Sequence, residues 1–189
     1  SLPFVVKSLF LYNFLIIYYI IMIIKTIMQN LISIFVIFGF LLIVYEIIIS
    51  YKKQKTLRVK DILNKQTLYN IQKHALRWLV GAVFLYSGLA HVLIPKIAAS
   101  AIGWKVSPFQ KEVGYYDIFV GGAGILSSLP IGEKFIPGTI LIFGGFSFLA
   151  GLNHLYELVF LKNTSKHNSG LVLFTDIVTP IILTYTLLH

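Results

Sequence analysis

The sequence contains no cysteine. Disulfides, thiolate metal sites and cysteine nucleophiles are therefore excluded, and thiols give no indication of the redox compartment. Charged residues are also scarce, at 12% of the chain, against 57% hydrophobic residues. Soluble proteins have about 25% charged and roughly 45–50% apolar residues. With a mean hydropathy of +0.84, this composition predicts an integral membrane protein.

Acidic residues are the rarer charge, with 7 Asp and Glu against 16 Lys and Arg and a net charge of +9. A basic chain raises the question of nucleic-acid binding. Here, however, the basic residues stand between apolar runs and form no patch interleaved with aromatic residues. Membrane topology and anionic lipid headgroups explain them better. We therefore expect a lipid bilayer as partner and no nucleic acid.

Long apolar runs dominate the chain. Five have the roughly 17–25 residues that a helix needs to cross a bilayer. They lie at 31–50, 75–94, 109–131, 137–160 and 170–188. A sixth run, 8–24, is also long enough, but Met28 stands directly before the next run. Residues 1–27 are therefore either a true first helix or sequence outside the functional protein, and they lack the cleavage pattern of a secretory signal.

These runs predict four parts of the chain. They are the N-terminal segment 1–27, a transmembrane helix at 28–50, a basic loop at 51–74 and a membrane domain of four helices at 75–189. Eight basic residues lie between 51 and 77. They are Lys52, Lys53, Lys55, Arg58, Lys60, Lys65, Lys73 and Arg77. Because short basic loops face the cytoplasm, we expect 51–74 to be cytoplasmic, with anionic lipid headgroups along 51–77, and 95–108 and 161–169 to lie outside.

A prokaryotic cytoplasmic membrane is the expected location, with a homo-oligomer or a larger membrane complex as the two forms of assembly.

Two local patterns predict details of the helix ends. The string SPFQ at 107–110 predicts a capping box, with Ser107 as N-cap and Gln110 at the third helical position. Glu112 favours the positive end of the same helix dipole; for Gln110 and Glu112 a role at the mouth of a site is the alternative. Glu46 and Arg77 are expected to pair, or to extend to the membrane surface.

A repeat connects two of the apolar runs. SGLAHVL at 87–93 resembles AGLNHLY at 150–156, at an offset of 63. The matched positions are Gly81 with Gly144, Gly88 with Gly151, and His91 with His154. In a helix, seven residues make about two turns and three residues about one, so each Gly, Gly and His set shares one face. Glycines on one face allow membrane helices to pack closely, which turns each histidine into the protein.

The following runs match as well. YYDIFVG at 115–121 resembles FTDIVTP at 174–180, which places Asp117 opposite Asp176. The fold expected is an all-α membrane protein. It is a four-helix transmembrane bundle of two parallel repeated hairpins, 75–131 and 137–188, with one or two N-terminal transmembrane helices.

His91, Asp117, His154 and Asp176 form the candidate polar site, at similar depths near the outer helix ends. An ionisable residue within a membrane span is a functional hypothesis by default. Three interpretations stay open. The histidines and aspartates can satisfy one another structurally, bind a metal ion together with Glu157, or form a proton relay or a pocket for a quinone or small solute. Asn153 is expected to form an interhelical hydrogen bond.

From about residue 75 onward the chain resembles DoxX-like proteins, which are small four-helix integral membrane proteins. The strings AIGWKVSPFQKEVG at 101–114 and NSGLVLFTDIVTP at 168–180 are closer still to a membrane family of unknown function within that group. The resemblance implies a four-helix bundle and a loose association with membrane redox and thiol or quinol metabolism. The absence of cysteine counts against direct dithiol exchange.

Three classes of function follow from these observations. The first is a non-catalytic membrane component or small-ligand binder. The second is a transporter of a small solute or of protons. The third is a redox or metal-dependent membrane enzyme linked to quinone metabolism. The balance of the sequence favours the first class, which is not an enzyme.

Overall fold

The computed structural model describes residues 4–55 and 57–189, which are helical with no strand among them. The helices are α1 (Phe4–Gln54), α2 (Val59–Ile62), α3 (Lys65–His74), α4 (Val83–Leu93), α5 (Pro95–Ile102), α6 (Phe109–Ser127), α7 (Ile136–Phe160), α8 (Lys166–Ser169) and α9 (Leu171–Leu188). A π-helical stretch, Ala75–Ala82, joins α3 to α4, and a 3-10 helix, Pro130–Phe135, precedes α7. The chain separates into two units, Ser1–Leu31 and Ile32–His189.

The first unit is helical from Phe4. Its described aromatic side chains, including Tyr12, Tyr18 and Tyr19, are exposed. The apolar run at 8–24 falls in this unit, and it is helical as its composition predicts.

The second unit has the composition of an integral membrane protein. Among the described residues, four helical segments are long and apolar enough to cross a membrane. They are Asn30–Gln54, Lys65–Leu93, Pro130–Phe160 and Lys166–Leu188. Their outward side chains are large and apolar, as lipid-facing surfaces are; Leu141 and Leu188, for example, are more than 70% exposed.

The span expected at 109–131 is not among these four. Its helix, α6, ends at Ser127 and has 19 residues. Three of them, Lys111, Glu112 and Asp117, are charged, and charge in the hydrocarbon core is costly. By length and composition, four of the five spans expected from the sequence are therefore found among the described residues.

The segment 51–74 is also not the continuous loop that the sequence predicts. The first helix continues to Gln54, and α3 begins at Lys65, ten residues before the expected start of the second span. Asn64 caps α3 by accepting a hydrogen bond from the backbone N–H of Thr67 at 3.2 Å. The polar face of α3 lowers the local hydropathy, so the sequence did not indicate where this helix begins. Its other face contributes Leu68 and Ile71 to the buried core.

The core of the second unit lies where α4 and the π-helical stretch pack on α6, and where α7 packs on α9. Its fully buried side chains include Leu76, Val80, Phe143 and Leu183. We call the helix ends next to α5 and α8 the α5 end, and the opposite ends the α3 end.

The segment 95–108 contains a helix of its own at the α5 end. Pro95 occupies the first turn of α5, and Gly103 ends it with a φ of +84°, a conformation that favours glycine. A side chain at Gly103 would also collide with Ser165 and Asn163. These two constraints fix where Trp104 leaves the helix.

Candidate functional site

Glycines bring α4 and α6 into backbone contact beside the candidate site. A Cβ atom at Gly88 would lie 2.5 Å from the carbonyl oxygen of Gly114 and 2.7 Å from the backbone nitrogen of Ile118. A Cβ atom at Gly121 would lie 2.5 Å from the nitrogen of Leu85. No side chain fits at these distances, so glycine sets the spacing of the two helices.

This close approach places Ser87 against Asp117. The hydroxyl of Ser87 donates a hydrogen bond to Oδ2 of Asp117 at 3.0 Å, and Asp117 is 4% exposed. The second carboxylate oxygen, Oδ1, is buried and accepts no hydrogen bond from any described residue. Buried polar atoms without a partner are rare in proteins, and each one calls for an explanation.

Asp176 on α9 accepts a hydrogen bond in a similar way. The hydroxyl of Ser147 donates to Oδ1 of Asp176 at 3.0 Å, and the two aspartates lie within electrostatic range of each other. Gly151 permits the contact, since a Cβ atom there would lie 3.1 Å from the Cβ of Asp176. Pro180 stands four residues after Asp176 and has no N–H, so the carbonyl of Asp176 lacks its usual helical partner.

The side chain of Thr179, on α9, also lacks a hydrogen-bond partner among the described residues. The hydroxyl oxygen of Thr179 is buried, and no described residue forms a hydrogen bond with it. Thr179 stands three residues after Asp176, which places both on one face of α9. Asp117, Asp176 and Thr179 therefore offer oxygen atoms, and the one on Asp117 and the one on Thr179 are unused.

His154 lies opposite Asp176. Its Nε2 lies 3.8 Å from Oδ2 of Asp176, a distance that suits an ion pair but is too long for a hydrogen bond. Its Nδ1 lies 2.7 Å from Oδ1 of Asn168. Asn168 donates through its nitrogen to the carbonyl of Asn163 at 2.9 Å, so its oxygen is the acceptor. Nδ1 of His154 therefore carries a proton, and in the neutral ring Nε2 is bare.

An aromatic and polar layer covers His154 at the α5 end. The Trp104 ring stacks on the His154 ring with centroids 5.9 Å apart. Its indole nitrogen donates to both carboxylate oxygens of Glu157 at 2.8 Å, and Asn163 donates to Glu157 at 2.7 Å. Glu157 therefore anchors the loop over the site.

His91 does not pair with Asp117; its partner is Gln110. Nε2 of Gln110 lies 3.1 Å from Nδ1 of His91 and donates to the carbonyl of Pro95 at 2.7 Å. An amide nitrogen only donates, so Nδ1 of His91 accepts and the proton of the neutral ring is on Nε2. In their neutral forms the two matched histidines therefore differ at Nε2, which is a hydrogen-bond donor in His91 and an acceptor in His154.

The capping box predicted at 107–110 is absent. Pro108 occupies the N-cap position of α6 without a side-chain cap, and the side chain of Gln110 is used by His91 instead. Glu112 is exposed in the first turn of α6, where its charge suits the helix dipole. Asn153 is exposed on α7, so the interhelical hydrogen bond expected of it is not formed there.

The five residues considered for a metal site are not gathered into one. Among the described residues, no three His, Asp or Glu side chains stand together in a way that could hold a metal ion. Their positions explain why: Glu157 faces Trp104 and Asn163, and His91 faces Gln110.

Of the four glycines matched by the repeat, three pack closely against a neighbouring helix and one does not. A Cβ atom at Gly81 would meet Ile125 at 2.6 Å, and one at Gly151 would meet Ile177 at 2.7 Å. At Gly144 the nearest atom outside its own helix, the Cβ of Pro180, would be 3.8 Å away, an ordinary contact. Gly81, Gly88 and Gly151 therefore pack as the sequence predicts, whereas Gly144 leaves room for a methyl group.

Sequence reasoning missed several residues of the site. Ser87, Ser147 and Thr179 carried no signal, because hydroxyl side chains are common in membrane helices. Ser87 stands directly before Gly88, and this position next to a helix-packing glycine is the sequence feature that comes closest to indicating its role. Asn168 was not among the predicted site residues, although it is fully buried and bonded to His154.

A second polar cluster lies at the α3 end. Glu46 accepts from Asn70 at 2.8 Å and lies 3.2 Å from Nε2 of His74. Arg77 instead donates to the hydroxyl of Ser128 at 3.2 Å. The expected pairing of Glu46 with Arg77 was wrong, because α3 starts early enough to supply nearer partners.

Comparison with known proteins gives a family. A model described as "Family of unknown function (DUF6790)" matches residues 29–189. Comparison with curated proteins and with solved structures found no match. The family match covers well over half of the chain, so the chain belongs to the DUF6790 family.

Proposed function

We propose that this DUF6790 member is a non-catalytic membrane protein that binds a small cation or protonated amine between Asp117 and Asp176. Oδ1 of Asp117, buried without a partner, carries the proposal. An ionised carboxylate has about four lone-pair sites, and leaving a buried polar atom unsatisfied costs about 1–3 kcal/mol. A bound donor or cation at Oδ1 would remove that cost.

The surroundings of Oδ1 favour a positive ligand. Asp176 adds a second carboxylate within electrostatic range, and two negative charges in a medium of low dielectric attract a cation strongly. The carbonyl of Asp176 and the hydroxyl of Thr179 add neutral oxygens on the same helix. Carbonyls freed from a helix are frequent cation ligands in membrane proteins. Asp117 and Thr179 are 4% and 1% exposed, so the ligand must be small.

Thermal unfolding of the full chain in detergent tests the proposal. Sodium, potassium and methylammonium chloride are compared at equal ionic strength. A ligand that binds the folded state stabilises it by about 2.7 kcal/mol at a hundredfold excess over its Kd. We expect one or two of the three cations to raise the unfolding midpoint of the wild type above the midpoint in the others, and the Asp117→Asn variant to lose that difference.

Asp61→Asn is the matched control. Asp61 pairs with Arg58 at 2.7 Å, away from the site, so this variant should keep the cation-dependent rise. The proposal fails if none of the three cations stabilises the wild type more than the others, or if Asp117→Asn is stabilised as strongly as the wild type.

Proton transfer is the second candidate, and the contact between His154 and Asp176 favours it. A bare Nε2 that faces a carboxylate at 3.8 Å is repelled by it, so a proton on either group stabilises the contact. Groups that share a proton inside a membrane are the usual parts of proton relays. The protein would then be a transporter of protons, or of a small solute coupled to them.

Proteoliposomes containing a pH-sensitive dye test this second candidate. Under an imposed potential, we expect Asp176→Asn and His154→Gln to reduce proton flux at least tenfold, with Asp61→Asn unchanged. Wild-type flux in the Asp176→Asn variant would exclude the relay. No specific contact favours the third class, a quinone-linked or metal enzyme.

The repeated hairpins 75–131 and 137–188 are part of the proposal. Two parallels support them. Gly88 packs against Ile118 and Gly151 against Ile177, and Ile118 and Ile177 each follow the aspartate of their hairpin. In each hairpin, moreover, a serine of the glycine-bearing helix donates to that aspartate. The resemblance to DoxX-like proteins remains a prediction.

A further inference from the structure

An apolar groove of about 540 Å³ runs between α6 and α7 on their lipid-facing side. This volume is within the range of about 300–1,000 Å³ that is usual for small-molecule sites. Phe119 and Leu126 line it from α6, and Ile142 lines it from α7. Gly138, which has no side chain, also lines it and leaves it open. None of the polar-site residues lies in the groove.

The groove has the length of one lipid leaflet. It extends along α6 from Tyr116 to Leu126, which at 1.5 Å per residue is about 15 Å. The hydrocarbon core of a bilayer is about 30 Å thick, so the groove matches half of it. Towards the α5 end the hydroxyl of Tyr116 donates to the carbonyl of Ile142 at 3.0 Å, and this bond closes the groove.

The other end of the groove carries a positive charge. Lys134 lines it there, with its ammonium 5.2 Å from the centroid of the Phe135 ring. The neighbouring carboxylate of Glu133 is already engaged, since it pairs with Lys73 at 3.1 Å and accepts a hydrogen bond from Tyr69. Among the described residues, none forms an ion pair with Lys134. Its charge therefore remains for a ligand at the mouth of the groove.

We propose that this groove binds one acyl chain of an anionic phospholipid, with the lipid phosphate on Lys134. The apolar walls exclude water from the chain, and its burial supplies about 0.8 kcal/mol per methylene group. A basic residue where a groove between membrane helices meets the headgroups binds anionic lipids in preference to neutral ones. The occupant is thus a bilayer lipid that binds at a defined position.

Two glycines of α7 provide a matched pair of variants. A Cβ atom at Gly138 or at Gly145 would meet no atom within 4 Å, so a larger side chain fits at either position without a clash. Gly138 lines the groove and Gly145 does not. Gly138→Leu therefore fills the groove, whereas Gly145→Leu adds the same side chain to the same helix elsewhere.

Native mass spectrometry of the full chain, titrated with phosphatidylglycerol or phosphatidylcholine, tests the proposal. We expect the wild type to bind one phosphatidylglycerol at least tenfold more tightly than phosphatidylcholine. Gly138→Leu should lose this lipid, and Gly145→Leu should keep it. Lys134→Gln should bind the two lipids equally, while Lys105→Gln, a charge change on the loop beyond α5, should keep the preference.

Two results would overturn the proposal. They are equal binding of the two lipids by the wild type and retention of phosphatidylglycerol by Gly138→Leu. If that retention comes with a change from oligomer to monomer, the groove is instead a contact between copies of the chain.

Discussion

Asn168 connects the loops at the α5 end to the polar interior. Its side-chain oxygen accepts from His154, and its nitrogen donates to the carbonyl of Asn163. It is completely buried, and its bond to His154 is made away from water. The tautomer of His154, and with it the bare Nε2 that faces Asp176, depends on this one amide.

Asn168→Ala should therefore be strongly destabilising. The substitution leaves the buried N–H of His154 without its acceptor, at about 1–3 kcal/mol, and it also removes the part-buried hydrogen bond to the carbonyl of Asn163. We expect the free energy of unfolding in detergent to fall by about 2–5 kcal/mol, which is the range of losses for broken buried networks. Chemical denaturation followed by tryptophan fluorescence measures it, since Trp104 stacks on His154.

Asn153→Ala is the matched control, because it also replaces an asparagine by alanine. Asn153 is exposed on the outer face of α7, and surface substitutions usually change stability by less than about 0.5 kcal/mol. Equal losses in the two variants would contradict the role given to Asn168.

At the scale of helices, glycine spacing decides how α4 meets α6. Gly88→Ala should separate them, because the new methyl group would lie 2.5 Å from the carbonyl oxygen of Gly114 and 2.7 Å from the nitrogen of Ile118. Backbone atoms have little freedom to yield, and overpacking costs about 1–3 kcal/mol. The hydrogen bond from Ser87 to Asp117 should weaken with it. Thermal unfolding in detergent should show a lower midpoint.

Gly144→Ala should behave oppositely, although the sequence repeat matches Gly144 to a tightly packed glycine. Its methyl group would meet Pro180 at 3.8 Å, and alanine is favoured over glycine within a helix by about 0.5–1 kcal/mol. The midpoint should stay the same or rise. A loss as large as that of Gly88→Ala would show that the two hairpins pack alike, against the contacts described above.

Part of this arrangement could be predicted from the length of the apolar runs. The membrane class and most helix positions follow from runs of apolar residues, and ionisable residues such as His154 and Asp176 stand out within them. The start of α3 was missed because its exposed face is polar and lowers the average hydropathy. The partners of His91 and His154 were missed because Gln110 and Asn168 come from loops and helix ends, whose three-dimensional course no periodicity encodes.

For the molecule as a whole, the central untested prediction is its orientation. The chain has no cysteine, so single cysteines can be labelled without background. Lys60 and Lys105 are both exposed and lie on segments predicted to face opposite sides. With a membrane-impermeant maleimide on intact cells, Lys105→Cys should be labelled and Lys60→Cys should be labelled only after permeabilisation. The reverse pattern would invert the topology and place the polar site nearer the cytoplasm.

The most direct test of the ligand site is an experimental density map of the full chain, at a resolution that resolves ordered ions and waters. We predict density for a coordinated cation on Oδ1 of Asp117, or for an amine nitrogen within about 2.7–3.2 Å of it, close to the carboxylate of Asp176; a water molecule alone at Oδ1 does not meet this prediction. A protein donor on Oδ1, or a pocket closed around it with no such density, would contradict the account and leave the aspartates with a structural role.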